Sequence, residues 1–460
     1  MSGKRQKIQY SLALEPTARG EAPVSGHQGV EPTMATLEPE SPALREQLME
    51  EVCERENLKR AWQHVRRNKG SAGVDGMTID DAKDYLAEHW PSIRSQLLEG
   101  IYQPQPVKRV EIPKPEGGAR KLGVPCVVDR LIQQALLQVL QPCWDPTFSE
   151  HSYGFRPGRS AHQAVAQAQR YVAEGYGVVV DLDLEKFFDR VNHDSLMARL
   201  AARLPDKRVL KLIRASLEAG VMEDGSLSPV DEGTPQGSPL SPLLSNLVLD
   251  DLDKELERRG HRFCRYADDC NIYVRSHRAG ERVMASVSRF LTGKLWLKVN
   301  EAKSAVARPE ARKFLGFSIS NDGSERRIAL QALVKFKTRI RKLTCRTRGL
   351  SLEQLIPELA PYLIGWRSYF GFCQTPRVLT NLEAWIRRRL RMYLWRQWRN
   401  GHNRFKELRR RGVPKFKAAV AAGSPTGLWR MSGHPAVQTA LRNHSFDSLG
   451  LPRLHVPEVA

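Results

Sequence analysis

The stretch His261-Arg262-Phe263-Cys264-Arg265-Tyr266-Ala267-Asp268-Asp269-Cys270-Asn271-Ile272-Tyr273-Val274-Arg275 decides how the rest of the chain is read. Short strand patterns flank Ala267-Asp268-Asp269, as in a hairpin with its acids at the tip. Asp-Asp is an ordinary turn dipeptide, but a plain turn favours Gly or Asn, and neither stands at 267–269. Upstream, Gly177-Val178-Val179-Val180-Asp181-Leu182-Asp183-Leu184 is a β-branched run ending in alternation, hence a strand. Asp181 and Asp183 fall on one face of it, because side chains repeat every second residue. Glu185-Lys186-Phe187-Phe188 follows, and Asn192-His193-Asp194 opens a helical stretch from Ser195 to Leu204. A carboxylate at a strand end can be a simple helix cap. Two adjacent acids near a third on a neighbouring strand, however, would repel strongly without cations. Such a trio is what two divalent ions, roughly 3.5–4 Å apart, require for an in-line phosphoryl transfer. The ligands are hard oxygens, which makes Mg²⁺ the natural ion.

Charge sets the partner class. The chain has 460 residues, 72 Lys and Arg against 51 Asp and Glu, and a formal net charge of +21. With 41% hydrophobic residues there is material for packed cores, which excludes wholesale disorder. The cationic surplus calls for a polyanion, and nucleic acid is the commonest. No run of about 18 apolar residues exists, so a membrane span is not expected. The start, Met-Ser-Gly-Lys-Arg-Gln-Lys, lacks the apolar segment of a secretory signal. The 7 cysteines form no Cys-x-x-Cys pair, so neither structural zinc nor a disulfide framework is expected. Reduced thiols in a cytoplasmic protein are the reading.

The surplus is localised. Residues 1–45 carry five basic and five acidic side chains, are rich in Pro, Glu, Gly and Ser, and are expected to be a disordered tail. Residues 333–420 hold 22 Lys and Arg against four Asp and Glu, which is +18. Within them, Leu379 to Trp398 has apolar residues at 379, 382, 385, 386, 390, 393 and 394, a helical spacing. Arg387, Arg388, Arg389, Arg391, Arg396 and Arg399 cover the remaining surface, and acidic partners for i,i+4 pairing are nearly absent. Such a helix would repel itself without a bound anion, so Arg387, Arg388 and Arg391 are expected to hold nucleic-acid phosphates. The Trp and Tyr residues at 366, 369, 385, 393, 395 and 398 read as packing rather than as base-stacking platforms.

Tyr266-Ala267-Asp268-Asp269 resembles the Tyr-x-Asp-Asp box of reverse transcriptases. Asp183 with an aromatic five residues later, Phe188, resembles their first palm motif, and Thr234-Pro235-Gln236-Gly237-Ser238-Pro239-Leu240 resembles the Pro-Gln-Gly box. Further blocks are similar to one branch, the reverse transcriptase–maturases of bacterial group II introns. Asn68 to Gly76 resembles its N-terminal extension motif, and Ile112-Pro113-Lys114-Pro115 with Arg120-Lys121-Leu122-Gly123-Val124-Pro125 its fingers motif. His151 to Ser160 resembles its third block, Lys298 to Val306 and Phe314-Leu315-Gly316-Phe317 its last palm blocks, and Tyr362 to Arg399 its thumb, the maturase X domain. The resemblance covers about residues 50–455.

The resemblance implies an α+β right-hand polymerase, with fingers and an antiparallel palm sheet over residues 46–332. A helical thumb/maturase domain would follow over 333–405, and a small basic DNA-binding segment over 406–460. By the same analogy Asp183, Asp268 and Asp269 hold two Mg²⁺ ions, with Asp181 a second candidate. Lys114 and Arg120 would grip the dNTP triphosphate. Phe188 would exclude a ribose 2′-hydroxyl, Gln236 would lie under the incoming nucleotide, and Gly237 would let the backbone come close. Arg156 and Arg159 would meet template phosphates. The implied activity is RNA-directed DNA synthesis on an RNA template with a DNA primer, together with binding of the intron RNA to assist splicing and of target DNA during mobility. The ending after residue 420 resembles members that lack an endonuclease. A splicing-only maturase with a decayed polymerase, and a host-domesticated or defence reverse transcriptase, are the alternatives. A viral RNA polymerase usually has Gly-Asp-Asp where this chain has Ala267-Asp268-Asp269.

Overall fold

Strand β3 (Val178–Asp183) lies inside a four-stranded sheet of order β6-β7-β3-β8, where β6 is Arg262–Tyr266, β7 is Asp269–Val274 and β8 is Ala305–Ala307. Every pairing in it is antiparallel. An inner strand covered on both faces needs a continuous apolar run, which Val178, Val179 and Val180 supply, all buried. The helix His277–Phe290 packs on β3, and Gly280 permits the approach: a Cβ there would lie 2.4 Å from Val306 Cγ1. The helices Ala161–Ala173 and Ser241–Arg258 pack on β6. A second four-stranded sheet, order β2-β1-β4-β5, is formed by β1 (Val107–Pro113), β2 (Ala119–Val124), β4 (Val221–Glu223) and β5 (Ser226–Ser228). There β1 pairs β2 antiparallel and β4 parallel.

In this computed structural model the described residues are 47–113, 119–223, 226–228, 232–234 and 237–455. The expected tail, residues 1–45, lies outside them. The chain divides into two compact units, one of residues 40–332 and one that includes residues 333–460. The first contains both four-stranded sheets. Its main core joins Leu131, Leu136 and Leu140 of the helix Val127–Trp144 to Leu247 and Leu249, and to Leu182 and Ile272 of the palm sheet. Among the described residues no helix is long and apolar enough to cross a membrane.

The turn that carries the acids differs in one respect from its reading. Asp269 is not at the tip but is the first residue of β7, paired with both Tyr266 and Asp183. The connection is therefore the two residues Ala267-Asp268, with Ala267 in the left-handed region at φ 58°. That conformation costs a non-glycine residue about 1–2 kcal/mol, and Arg265 holds it. Arg265 is fully buried and donates from Nη1 to the Ala267 carbonyl at 2.9 Å and to Asn246 Oδ1 at 3.0 Å. Its Nε and Nη2 grip the two oxygens of Asp253 at 2.7 and 2.5 Å, and Nη2 also reaches Ser152 Oγ at 2.8 Å. Every N–H of the guanidinium is thus used. Asn246, Asp250 and Asp253, at i, i+4 and i+7, form a buried polar stripe on the helix Ser241–Arg258.

The described residues from 333 to 455 form no strand. The long helices are Leu330–Leu343, Leu352–Phe370 and Pro376–Gln397, followed by Gly401–Arg410 and Lys415–Gly423. Ser351 and Gln354 form a capping box at the start of the second, and Pro376 opens the third, where its missing N–H costs nothing. Phe336 stacks on Tyr362 and lies 4.2 Å from Trp366, centroid to centroid. Trp366, Tyr393, Trp395 and Trp398 are buried.

The arginines of the helix Pro376–Gln397 correct the picture of a self-repelling cationic face. Arg387 is buried and pairs with Glu383 at 2.9 Å, an i,i+4 partner, and with Asp447 at 2.9 Å. Arg391 is also buried and donates to the Leu441 carbonyl at 2.9 Å and to Asn443 Oδ1 at 2.8 Å. Both fasten the C-terminal segment onto the helix, so neither presents its charge to a phosphate. The acid that neutralises Arg387 most remotely is 60 residues away in sequence, where helical spacing does not point. Arg388 is half-buried, with its guanidinium 4.3 Å above the Trp429 ring.

Arg265→Met should destabilise the first unit by about 3–5 kcal/mol, because Asp253 is left buried and unpaired. The double variant with Asp253→Leu should recover most of the loss of melting temperature. Arg387→Met should destabilise the second unit by about 2–4 kcal/mol. Hydrogen exchange would then show the segment around Asp447 opening first.

Candidate active site

Asp183 ends β3 directly opposite Asp269, and Asp268 stands in the adjoining turn. The antiparallel register thus brings together carboxylates 86 residues apart in sequence. The segment after residue 298 ties itself to the end of β3. The Asp183 N–H donates to Ser304 Oγ at 3.0 Å, and Asn300 N–H donates to the Asp183 carbonyl at 2.8 Å. Lys303 Nζ is thereby placed 3.3 Å from Asp183 Oδ2. Asp181, on the same face, is engaged by Arg312 at 2.6 Å, and Arg312 also donates to the Lys303 carbonyl. Asp181 is therefore paired with an arginine, whereas Asp183 faces the ammonium of a lysine.

Burial, and then the charges of Asp181, Asp268 and Asp183, push the Asp269 carboxyl well above the usual carboxylate range. Asp183 Oδ2 is buried and makes no hydrogen bond. A carboxylate oxygen that has an ammonium nearby but no hydrogen bond, beside a carboxyl raised by burial and like charges, is a donor set suited to a hard divalent cation. Among the described residues, no three His, Cys, Asp or Glu side chains already stand in a metal-holding group. The donors are present; the closed coordination sphere is not.

Phe188 packs edge-on against Phe187, with centroids 5.3 Å apart, and lines a cavity with Arg109, Lys121, Gly123, Lys186 and Thr234. The loop leading to the Pro-Gln-Gly box is laced to it: Thr234 N–H donates to the Phe188 carbonyl at 2.6 Å. Gly233, at φ 96°, lies so close that a Cβ would come within 2.8 Å of the Phe188 oxygen. Gly237 has φ 122° and faces the Gly123 carbonyl, 3.0 Å from where a Cβ would be. Lys114 and Gln236 lie outside the described residues. Arg120 is placed by its backbone, paired with Ile112 across β1 and β2.

The third block has a different task from the one its charges suggest. Arg156 is buried, pairs with Asp145 at 2.8 Å and donates to the carbonyls of Ser149, Ser152 and Asp145. It braces its own loop and is not available to template phosphates. That loop in turn braces the β6–β7 hairpin: Tyr153 N–H donates to the Arg265 carbonyl at 2.8 Å, and Arg265 N–H to that of His151 at 2.9 Å. Gly154 sits where a Cβ would be 2.3 Å from the Ala267 nitrogen. Arg159 remains partly exposed, 5.7 Å over the Tyr153 ring. Sequence reasoning missed Arg265, Lys303 and Arg312. Their signal was indirect: buried-stripe acids at 250 and 253 demand a cationic partner, and Asp181 shares a face with Asp183 yet has no place in the trio.

Two family descriptions match the chain. Residues 112–319 match "Reverse transcriptase (RNA-dependent DNA polymerase)", and residues 333–412 match "Group II intron, maturase-specific domain". Protein YkfC of Escherichia coli is 32% identical over 314 residues, 59% of this chain and 82% of that protein. The group II intron-encoded protein LtrA of Lactococcus lactis is 29% identical over 363 residues, 65% of this chain and 59% of LtrA. Among solved structures, a partial Cas6-RT-Cas1–Cas2 complex is 26% identical, with 53% of this chain and 42% of that chain covered and a TM-score of 0.35. The fingers-and-palm sheets, the paired carboxylates at the end of β3 and the helical unit that follows in sequence are those of a reverse transcriptase with a maturase domain, and the chain belongs to the group II intron reverse transcriptase–maturase family.

Proposed function

We propose that this protein copies group II intron RNA into DNA from a DNA primer, and that it also binds the folded intron to assist splicing and mobility at a target DNA. The observation that carries the reading is the register Asp183 opposite Asp269, with Asp268 in the turn between β6 and β7, in a chain that continues into a maturase domain. Asp183, Asp268 and Asp269 would hold two Mg²⁺ ions. When bound, these would favour ionisation of the primer 3′-hydroxyl and stabilise the pyrophosphate that leaves.

The chain's own residues do the rest. The left-handed Ala267 turn, gripped by Arg265, fixes where the Asp268 carboxylate projects. Lys303 offers a proton donor beside the Asp183 carboxylate. Phe188 closes one side of a cavity whose cations, Arg109, Lys121 and Lys186, suit a triphosphate, and by the family resemblance Lys114, Arg120, Gln236 and Gly237 would serve the same nucleotide. Arg159, and Arg396 and Arg399 at the exposed end of their helix, are among the cations free to meet RNA phosphates.

Primer extension by purified protein on an RNA template with Mg²⁺ and dNTPs tests the reading. Asp268→Ala should abolish cDNA synthesis while intron binding and splicing persist; loss of all three would overturn the division of labour between the two units. Retained splicing without extension by the wild type would favour a splicing-only maturase. Phe188→Val should raise ribonucleotide incorporation relative to deoxyribonucleotides by about tenfold or more, since discrimination by a filled space is worth about that much. An unchanged ratio would place the 2′-hydroxyl elsewhere.

A further inference from the structure

The C-terminal unit contains a cavity of about 1060 Å³ between the helix Pro376–Gln397 and the segment 424–443. Four arginines, Arg388, Arg391, Arg430 and Arg442, line it together with His434 and Asn443. No Asp or Glu lines it. The acids nearest in sequence are spent elsewhere, Glu383 and Asp447 both on Arg387.

The four arginines divide by what holds them. Arg391 is fixed to Leu441 and Asn443, and Arg388 lies over Trp429 and donates to its carbonyl at 3.1 Å. Both build the wall; Arg391 is spent on those bonds, and Arg388 brings positive charge to the lining. Arg430 and Arg442 are exposed, and among the described residues neither side chain has an ion pair or hydrogen bond. His434 Nδ1 accepts from the Ala436 N–H at 3.2 Å, so in the neutral ring the other nitrogen carries its proton as a further donor. A cationic cavity with donors on several sides and no carboxylate is a site for anions.

We infer that this cavity binds the phosphodiester backbone of a nucleic-acid strand, through Arg430 and Arg442 backed by Arg388. This inference rests on the nucleic-acid reading given under Proposed function and deepens it by assigning a contact site. A single free phosphate would fill only a small part of the space, whereas a strand carries a phosphate at every residue. Arg430 and Arg442 also lie beyond residue 412, where the match to the maturase-specific domain stops. RNA and DNA strands share this chemistry, and the test distinguishes them.

The full-length protein and the double variant Arg430→Gln, Arg442→Gln are titrated with a labelled single-stranded DNA and with RNA of the same sequence over a range of KCl concentrations. The expected result is weaker binding and a log–log salt slope smaller by about 1.4, two contacts at about 0.7 each. The corresponding double Lys variant should keep most of the wild-type slope, because the contact is made by charge. A loss confined to RNA or to DNA supports the site and assigns its strand. Equal affinity and slope for wild type and Gln variant on both strands overturn the site alone. Failure of the wild type to bind either strand overturns the nucleic-acid reading, and this site with it.

Discussion

The buried guanidinium of Arg265 is the constraint on which the β6–β7 hairpin and its acids depend. It ties β6 to the helix Ser241–Arg258 through Asp253 and Asn246, to the loop before the helix Ala161–Ala173 through Ser152, and to the turn itself through the Ala267 carbonyl. A buried ion pair is weak evidence for net stability, because desolvation consumes most of the attraction. Its contribution here is geometric. A strand slip of one residue would send every side chain of β6 to the wrong face and strand a charge in the core. The network therefore fixes which two residues form the turn, and so puts Asp269 opposite Asp183.

Around that fixed turn the molecule manages a concentration of negative charge. Arg312 pairs with Asp181, Lys303 stands beside Asp183, and burial together with the charges of Asp181, Asp268 and Asp183 raises the Asp269 carboxyl. The arrangement leaves one buried oxygen of Asp183 without a hydrogen bond. Sites that must receive cations commonly carry such unspent polar capacity, and their perturbed carboxyls mark them. The Lys303 ammonium sits on a flexible stem, so it can yield its position to an arriving ion more readily than a bidentate arginine would.

In the helical unit the same residue type does two jobs. Arg387 and Arg391 are structural fasteners for the C-terminal segment, whereas Arg396, Arg399, Arg430 and Arg442 stay exposed. Arginine suits both, since its planar fork can satisfy carbonyls and carboxylates in a protein interior or phosphates at a surface. Net charge alone does not separate the two uses. Only the bonds each side chain makes do, and they put the exposed cations at the end of the helix Pro376–Gln397 and around the cavity beside it.

By itself the sequence determined the palm chemistry. The β-branched run before Asp181, the alternation around Ala267-Asp268-Asp269 and the glycine of the Thr234–Leu240 box are local signals, and local backbone sterics suffice to read them. The helical spacing from Leu379 to Trp398 was legible for the same reason. Tertiary structure alone decided what each charged side chain faces. Asp269 moved from the tip into a strand because a buried arginine fixes the register. Arg156, Arg387 and Arg391 turned inward because acids and carbonyls up to 60 residues away reach them. Periodicity records which face of a helix is apolar; it carries no record of long-range partners, and for a cation those partners decide between core and ligand.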